Sequence, residues 1–333
     1  MLAPILKPRR LFVTVLRKHM SKTTTAVVGV GYLGRFHAQK YMQLAGSELI
    51  AIVDIDEQAA RTVAAEHGVR ALYDHRDLLG RVDAVSIVVP TSLHYEVARD
   101  FLMHGSHVLV EKPMTRTVDE AQGLIELARR HERVLQVGHL ERFNAAILDL
   151  DRVLNKPLFI ESHRLAPFKP RGTDVSVVLD LMIHDIDIIL NVVRSDLARI
   201  DASGAPVLSD AVDIANARLV FENGCVANVT ASRVSLKSER KMRVFQPDAY
   251  ISIDFQDRIL SAHRKGRGEM FPGVPEIESE QIRFDDGDAL KTEIELFLKA
   301  IRGQSPPIVS GEDGKRALAT AIRITEMVTG RPA

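Results

Sequence analysis

Val27-Val28-Gly29-Val30-Gly31-Tyr32-Leu33-Gly34 is the stretch on which the fold turns. A β-branched apolar run ends in a G-x-G-x-x-G turn, and the residues beyond it have helical spacing. Gly29 permits the tight turn. Gly31, lacking a Cβ, lets a pyrophosphate approach the backbone, and Gly34 lets a helix pack closely on a strand. The N-terminus of that helix offers free N–H groups and the positive end of its dipole to the phosphates. Tyr32 and Leu33 lie inside the same turn and are expected beside the ligand. Asp54 closes the next predicted strand, twenty residues after Gly34. A carboxylate there accepts both hydroxyls of an adenosine ribose and repels a 2′-phosphate. Ile55 and Asp56 follow with no arginine, so NAD is favoured over NADP. A glycine turn without a ligand is the plainer alternative.

Working outward, residues 26–30, 48–54, 84–89, 107–110 and 134–137 read as strands. Residues 56–67, 94–104 and 118–131 between them read as amphipathic helices. Apolar strands alternating with helices imply a doubly wound parallel sheet, a Rossmann-type α/β domain. In such a sheet the ligand crevice lies beyond the carboxyl ends of the strands. Pro90, Thr91 and His94 are therefore expected to border the cofactor, although His94 reads equally well as a residue that only orders its loop. The next strand ends in Glu111-Lys112-Pro113. Lys112 is placed there to polarise an oxygen of a reacting alcohol or ketone, with Pro113 fixing the turn.

Beyond Phe143 the pattern changes. Residues 212–222, 226–233, 241–245 and 250–255 read as strands without intervening helices. Asn223-Gly224 reads as a strong hairpin turn, since both central residues tolerate positive φ. The result is an α+β domain with an open antiparallel sheet, closed by helices over residues 289–301 and 314–328. Residues 263–275, rich in glycine and charge, read as a loop. The expected division is a basic extension over 1–22, an NAD-binding domain over 23–142, and a substrate-binding and oligomerisation domain over 143–333. Its terminal helices can pack back on the first domain. Alternation across 212–255 leaves an apolar sheet face uncovered, which predicts a homodimer or homotetramer. Lys7, Arg9, Arg10, Arg17 and Lys18 in the extension meet no acidic residue. That segment reads as unstructured or as a start preceding the natural one at Met20; the sharper alternative is contact with anionic lipid or a partner.

Composition narrows the function. The chain has 333 residues, 46% hydrophobic and 26% charged, which excludes a disordered or fibrous protein. Lysine and arginine total 44, as do aspartate and glutamate, so there is no basic excess for nucleic acid. Cys225 is the single cysteine, which excludes an internal disulfide and fits a reducing, cytoplasmic setting. No apolar run reaches the length of roughly 18 residues that a membrane span needs.

Val178-Leu179-Asp180-Leu181-Met182-Ile183-His184-Asp185-Ile186-Asp187 is the third informative stretch. In a helix Asp180 and His184, four apart, share a face. The carboxylate can hold substrate hydroxyls, and the imidazole can move a proton near neutral pH. The alternative is that Asp180 caps the helix and His184 is a satisfied semi-buried residue. A zinc site from His184, Asp185 and Asp187 has poor spacing, so no metal is expected.

Gly29-x-Gly31-x-x-Gly34, Glu111-Lys112-Pro113 and Asp180 with His184 together resemble the glucose–fructose oxidoreductase/inositol dehydrogenase (GFO/IDH/MocA) family. The resemblance runs from about residue 24 to the end and includes Glu293-x-x-x-Phe297 and Pro307-x-Val309-Ser310. It implies a Rossmann domain, an antiparallel sheet that packs on another subunit, and hydride transfer from a sugar or cyclitol carbon to NAD. Lys112 and His184 would be the acid/base pair, with Asp180 on substrate hydroxyls and Glu111 beside the cofactor. Gly138-His139-Leu140-Glu141-Arg142-Phe143-Asn144 and Arg164-x-x-Pro167-Phe168-x-x-Arg171-Gly172-Thr173-Asp174 resemble, more narrowly, the nucleotide-sugar 3-dehydrogenases. Ala145 departs from that pattern, which has a proline. This narrower resemblance implies oxidation of the 3-hydroxyl of UDP-N-acetylglucosamine. The 3-keto sugar would feed a PLP-dependent aminotransferase that makes a diamino sugar of lipid A. Arg142, Arg164, Lys169 and Arg171 offer cations for the diphosphate, each alternatively a solvated charge, and Asn144 joins them as a substrate contact. UDP-N-acetylglucosaminuronate and a free cyclitol are the alternative substrates. An NAD-binding sensor without turnover is the alternative of another class, and it would be expected to lack Lys112 or His184.

Overall fold

A computed structural model of the chain describes residues 22–168, 176–285 and 287–330. Residues 1–21 of the basic extension, Lys169 and Arg171 lie outside the described residues. Six parallel strands form the first sheet: β1 (Thr23–Val28), β2 (Ser47–Val53), β3 (Arg70–Leu72), β4 (Ala84–Ile87), β5 (His107–Glu111) and β6 (Leu135–Gly138). Their order is β3-β2-β1-β4-β5-β6, so the topological switch falls between β1 and β4. The connecting helices are α1 (Tyr32–Gln43), α2 (Glu57–His67), α3 (Thr91–Met103) and α4 (Val118–Arg130). Local chemistry sets several ends. Asp56 accepts the Gln58 and Ala59 N–H groups at the start of α2, and Thr117 and Glu120 form a reciprocal capping box on α4. The strands are apolar on both faces because both are covered. Val28, Val85, Ile87 and Val110 pack with Phe101 and Leu124 on one side, while Val27, Ile52 and Leu109 pack with Tyr41 on the other.

A short helix, α5 (Ala145–Leu148), leads to the second sheet, whose strands are β7 (Phe159–Leu165), β8 (Leu197–Ala205), β9 (Ile214–Phe221), β10 (Val226–Ser232), β11 (Glu239–Gln246), β12 (Ala249–Asp254), β13 (Ile259–Phe271) and β14 (Val274–Arg283). The order is β14-β13-β12-β11-β7-β10-β9-β8. β7 runs parallel to β10, so the sheet is mixed rather than wholly antiparallel. Three helices complete the chain: α6 (Ile183–Val193), α7 (Ala289–Ile301) and α8 (Gly311–Thr329). Ile186 and Ile189 of α6 and Ala321 and Ile324 of α8 cover one face of this sheet. Leu290, Ile294 and Phe297 of α7 instead join Tyr41 in the core beside β1, and Leu318 of α8 enters the core on the other side of that sheet. Cys225 is buried in the second core, and burial pushes its thiol up to about 11.

Two expectations need correction here, and a third needs detail. Residues 263–275 are not a loop but the ends of the β13–β14 hairpin, which runs past β12. Register shifts after Lys265 and Glu269 mark bulges, and the projecting arm has no buried face to impose an apolar alternation. The Asn223-Gly224 hairpin forms, but only Gly224 takes positive φ (+85°); the Asn223 side chain accepts the Cys225 N–H instead. The uncovered face of the second sheet is not apolar throughout: it carries Asn216, Arg218, Asn228, Glu161 and Arg243, with aromatic side chains gathered at one end.

Candidate active site

The glycine turn opens on a cleft of about 810 Å³ at the switch point of the first sheet. Gly29 sits at φ +89°, and a Cβ there would lie 2.6 Å from the Val88 carbonyl oxygen. A Cβ on Gly34 would run into the Gly29 carbonyl, so α1 approaches the turn only because this residue is glycine. Gly31 precedes α1, and no side chain caps the helix start. The first-turn N–H groups are thus available to an anion, which fits the pyrophosphate of a dinucleotide. The lining brings together Gly29, Gly31, Tyr32, Leu33, Asp54 and Pro90, all expected from sequence. Asp54 also braces the turn, accepting the Val30 N–H at 2.7 Å and the Asp56 N–H at 2.9 Å. Its remaining lone pairs suit ribose hydroxyls, so the residues present fit NAD. Tyr73, His75 and Arg76 also line the cleft; sequence reading missed them because β3, which delivers them, is only three residues long.

Three other residues named for the cofactor do not line that cleft. Thr91 begins α3. His94 is buried, with its two ring nitrogens 2.9 Å from the carbonyls of Val89 and Pro113, and burial keeps it below its ordinary pKa. It therefore joins the cleft wall to the Lys112 loop and orders both. Glu111 turns inward: Oε1 faces His37 Nε2 at 3.2 Å, and Oε2 accepts the Lys112 N–H at 3.3 Å.

Lys112 projects from the end of β5 toward the second sheet, and its peptide to Pro113 is cis. Its Nζ donates to the Asp180 carbonyl at 2.8 Å and lies 3.7 Å from Asp180 Oδ1. Burial lowers the ammonium's pKa, while Asp180 and Glu111 oppose that effect. Residues Val178–Met182 form a wide π-type turn ahead of α6 rather than regular α-helix, so the expected four-residue spacing does not put Asp180 and His184 on one α-helical face. Asp180 nevertheless reaches Lys112 directly, with its carboxylate half exposed, and His184 follows one turn later at the start of α6. The His184 ring is half-buried, with Nδ1 enclosed and unpartnered. Burial, then Lys112, Arg164, His139 and Arg240, hold its pKa well below the ordinary value. A neutral imidazole beside an ammonium can take a proton while the ammonium stabilises the oxygen left behind.

The side chains expected to grip a diphosphate are engaged elsewhere. Arg164, 3% exposed, donates through Nε to Asp185 Oδ2 at 2.6 Å and through Nη1 to Glu141 Oε1 at 2.9 Å. Arg142 donates to Asp187 Oδ1 at 3.3 Å and to the Ile308 carbonyl at 3.0 Å. Asn144 caps α5 by accepting the Ala146 N–H and donates to the Phe255 carbonyl. The buried carboxylates need the two arginines and the buried backbone groups need Asn144, so all three residues are held in the scaffold. Among the described residues, Arg240 stands half exposed directly across from Arg164 in the β7–β11 register, 3.5 Å from Glu141 Oε1, and its charge acts on His184. Nothing in its sequence surroundings singled it out. Asp185 and Asp187 are thus paired with arginines, and among the described residues no group of three or more metal-ligating side chains converges.

Comparison with known proteins agrees with this arrangement. Residues 23–139 match the profile of an oxidoreductase family with an NAD-binding Rossmann fold, and residues 156–251 match the GFO/IDH/MocA C-terminal domain. The UDP-N-acetylglucosamine 3-dehydrogenase of Acidithiobacillus ferrooxidans is 42% identical over 301 residues, covering 90% of this chain and 95% of that protein. A solved structure of that enzyme superposes with a TM-score of 0.88 at 41% identity, covering 93% of this chain and 98% of its own. The NAD(+)-dependent scyllo-inositol 2-dehydrogenase of Bacillus subtilis is 26% identical over 321 residues, covering 90% of this chain and 92% of its own.

Proposed function

Because this chain belongs to the GFO/IDH/MocA family of NAD-binding oxidoreductases, we propose that it oxidises the 3-hydroxyl of UDP-N-acetylglucosamine to a 3-keto group. The observation that carries the reading is the contact of Lys112, at the end of β5, with Asp180, one turn ahead of His184. The similarity to the Acidithiobacillus enzyme supports the choice of sugar. Bound NAD would be held by the Gly29–Gly34 turn, Asp54 and Pro90, and supplies the hydride acceptor. His184, kept neutral, takes the hydroxyl proton at Nε2, the ring nitrogen that is not enclosed. The Lys112 ammonium stabilises the alkoxide as it forms, an effect strengthened by its partial exclusion from water. Asp180 accepts a hydrogen bond from a neighbouring sugar hydroxyl, and Arg240 meets the diphosphate.

Oxidising a secondary alcohol with NAD is uphill, so the product is proposed to feed a PLP-dependent aminotransferase on a route to a lipid A diamino sugar, in the cytoplasm. Adding such an aminotransferase with its amino donor should raise the yield of NADH. The row of contacting rings Phe159, Phe245, Tyr250 and His263 on the uncovered sheet face supports assembly into a homodimer or homotetramer, which a solution mass decides. No helix among the described residues is long and apolar enough to cross a membrane. The direct test of the site is Lys112→Met. NADH formation with UDP-N-acetylglucosamine should fall about 10²-fold or more in kcat, the size typical of a positioned acid/base group. Turnover at the wild-type rate would overturn the assignment.

A further inference from the structure

Behind the proposed reaction centre lies a row of buried polar atoms without hydrogen-bond partners: His184 Nδ1, both ring nitrogens of His139, and Asp187 Oδ2. Folded proteins leave few such atoms, so four in succession call for an explanation. Geometry fixes their order. The rings of His184 and His139 meet edge to face, with centroids 6.5 Å apart. His139 Nδ1 lies 4.0 Å from Asp187 Oδ2. Arg142 holds the other oxygen, Oδ1, at 3.3 Å, which leaves Oδ2 to His139. Asp187 is three residues beyond His184 on α6, and His139 directly follows β6, so a helix of the second domain and a strand end of the first both contribute to the row. About 1 Å of side-chain adjustment brings the 4.0 Å gap to hydrogen-bond length, and a turn of the His139 ring, 6.5 Å from that of His184 between centroids, is needed to bring its Nε2 to His184 Nδ1.

We propose that His139 and Asp187 are positioning residues that form a proton relay behind His184, carrying the substrate proton out of the reaction centre. The inference rests on the reading of His184 as the group that receives that proton. As the C–H bond breaks and its electron pair leaves with the hydride for NAD, the hydroxyl proton passes to His184 Nε2. His184 releases its Nδ1 proton to the Nε2 of His139, and His139 releases its own Nδ1 proton to Asp187 Oδ2. Both imidazoles end neutral with their tautomers exchanged, and the carboxyl holds the one proton gained.

The surroundings favour that direction. Burial, Lys112 and Arg142 take His139 down to about 3, against Glu111 and Asp313. Burial takes Asp187 up to about 7, against Arg142 and Arg316 and with Asp313 reinforcing it. His184 is held low by burial and by Lys112, Arg164, His139 and Arg240. Neither imidazole holds a second proton, whereas the Asp187 carboxyl, near 7, can both take one up and give it on. Asp313 and Arg316 also line, with Asn191 and Arg194, a surface cavity of about 440 Å³ through which the proton can exit.

The test uses the NAD-loaded enzyme turning over UDP-N-acetylglucosamine, with Asp187→Asn and His139→Leu. Asn still offers Arg142 an acceptor, and Leu replaces two unpartnered buried nitrogens, so His139→Leu should fold even if the Asn variant does not. The wild-type kcat should titrate near pH 7. Asp187→Asn should lose that titration, with kcat falling about 10-fold or more, less than the 10²–10⁴ of a group that touches substrate. His139→Leu should show a similar loss and a larger solvent deuterium isotope effect on kcat, with the KM for NAD unchanged. Variants that keep both the wild-type titration and the wild-type isotope effect would overturn the relay. A wild-type enzyme that reduces no NAD with this sugar would instead overturn the parent reading.

Discussion

Replacing Arg164 by methionine separates a scaffold role from a ligand role. Its guanidinium is 3% exposed and bound to Asp185, itself 1% exposed, through Nε at 2.6 Å and Nη2 at 3.4 Å, with Nη1 on Glu141 at 2.9 Å. Methionine fills much of the volume but leaves the Asp185 carboxylate with only the Ser162 hydroxyl, at 2.9 Å. Removing one partner of a buried ion pair costs about 3–5 kcal/mol, against a total stability of roughly 5–15 kcal/mol. At about 1.4 °C per kcal/mol for a chain of 333 residues, the melting temperature should fall by about 4–7 °C. Removing the second charge as well, in Arg164→Met/Asp185→Leu, should recover most of the loss, because an apolar pair of similar volume has no uncompensated charge. The assay is thermal and urea unfolding of the wild type, the single variant and the double variant, with KM for the UDP-sugar measured alongside. If the single variant melts with the wild type while KM rises tenfold or more, Arg164 is a diphosphate clamp and the scaffold argument is wrong.

Two further outcomes follow from the same coordinates. Gly34→Ala forces α1 away from the Gly29 carbonyl, so NAD should bind at least about tenfold more weakly by equilibrium dialysis, with the melting temperature lowered; unchanged NAD affinity would sink the close-approach argument. For Asp213, burial raises the carboxyl but is outweighed by the Ser209 hydroxyl and the N–H groups of Val207, Leu208 and Ser209, which hold it well below the usual carboxylate range. A carboxyl depressed in the folded state adds stability above its unfolded value, near 4, and loses it as pH falls toward the folded one. Asp213→Asn should therefore lower the urea midpoint at pH 7, and the gap from wild type should narrow below about pH 4; a constant gap would refute the coupling.

Most of the first sheet was legible because its signals are local. Apolar runs, helix caps and the glycine turn each act within a few residues of one another, and the structure places α2 and β5 within one residue of expectation and β1 within three. β3, three residues long, has no room for a pattern. In the second sheet the missed features depend on distant pairing. β7 is parallel to β10 across about seventy residues, and the β13–β14 arm runs past its neighbour with both faces exposed, so no apolar alternation marks it. The site divides the same way. Gly29, Gly31, Asp54 and Lys112 were readable from their place at strand ends. The roles of Arg142, Asn144 and Arg164 were not, because a buried ion pair and a ligand clamp call for the same residue types, and only the fold brings Asp185 and Asp187 beside them. Arg240 emerges only once β11 lies against β7.

The central claim is spatial: Lys112 and His184 act on one hydroxyl of the sugar. It is met most directly by a crystal structure of the dead-end complex with NADH and UDP-N-acetylglucosamine, in which reduced cofactor prevents turnover. The 3-hydroxyl oxygen should stand within about 3 Å of both Lys112 Nζ and His184 Nε2. A sugar bound with that oxygen beyond about 5 Å from both groups, out of hydrogen-bond reach, would overturn the assignment of the reaction and of the residues that perform it.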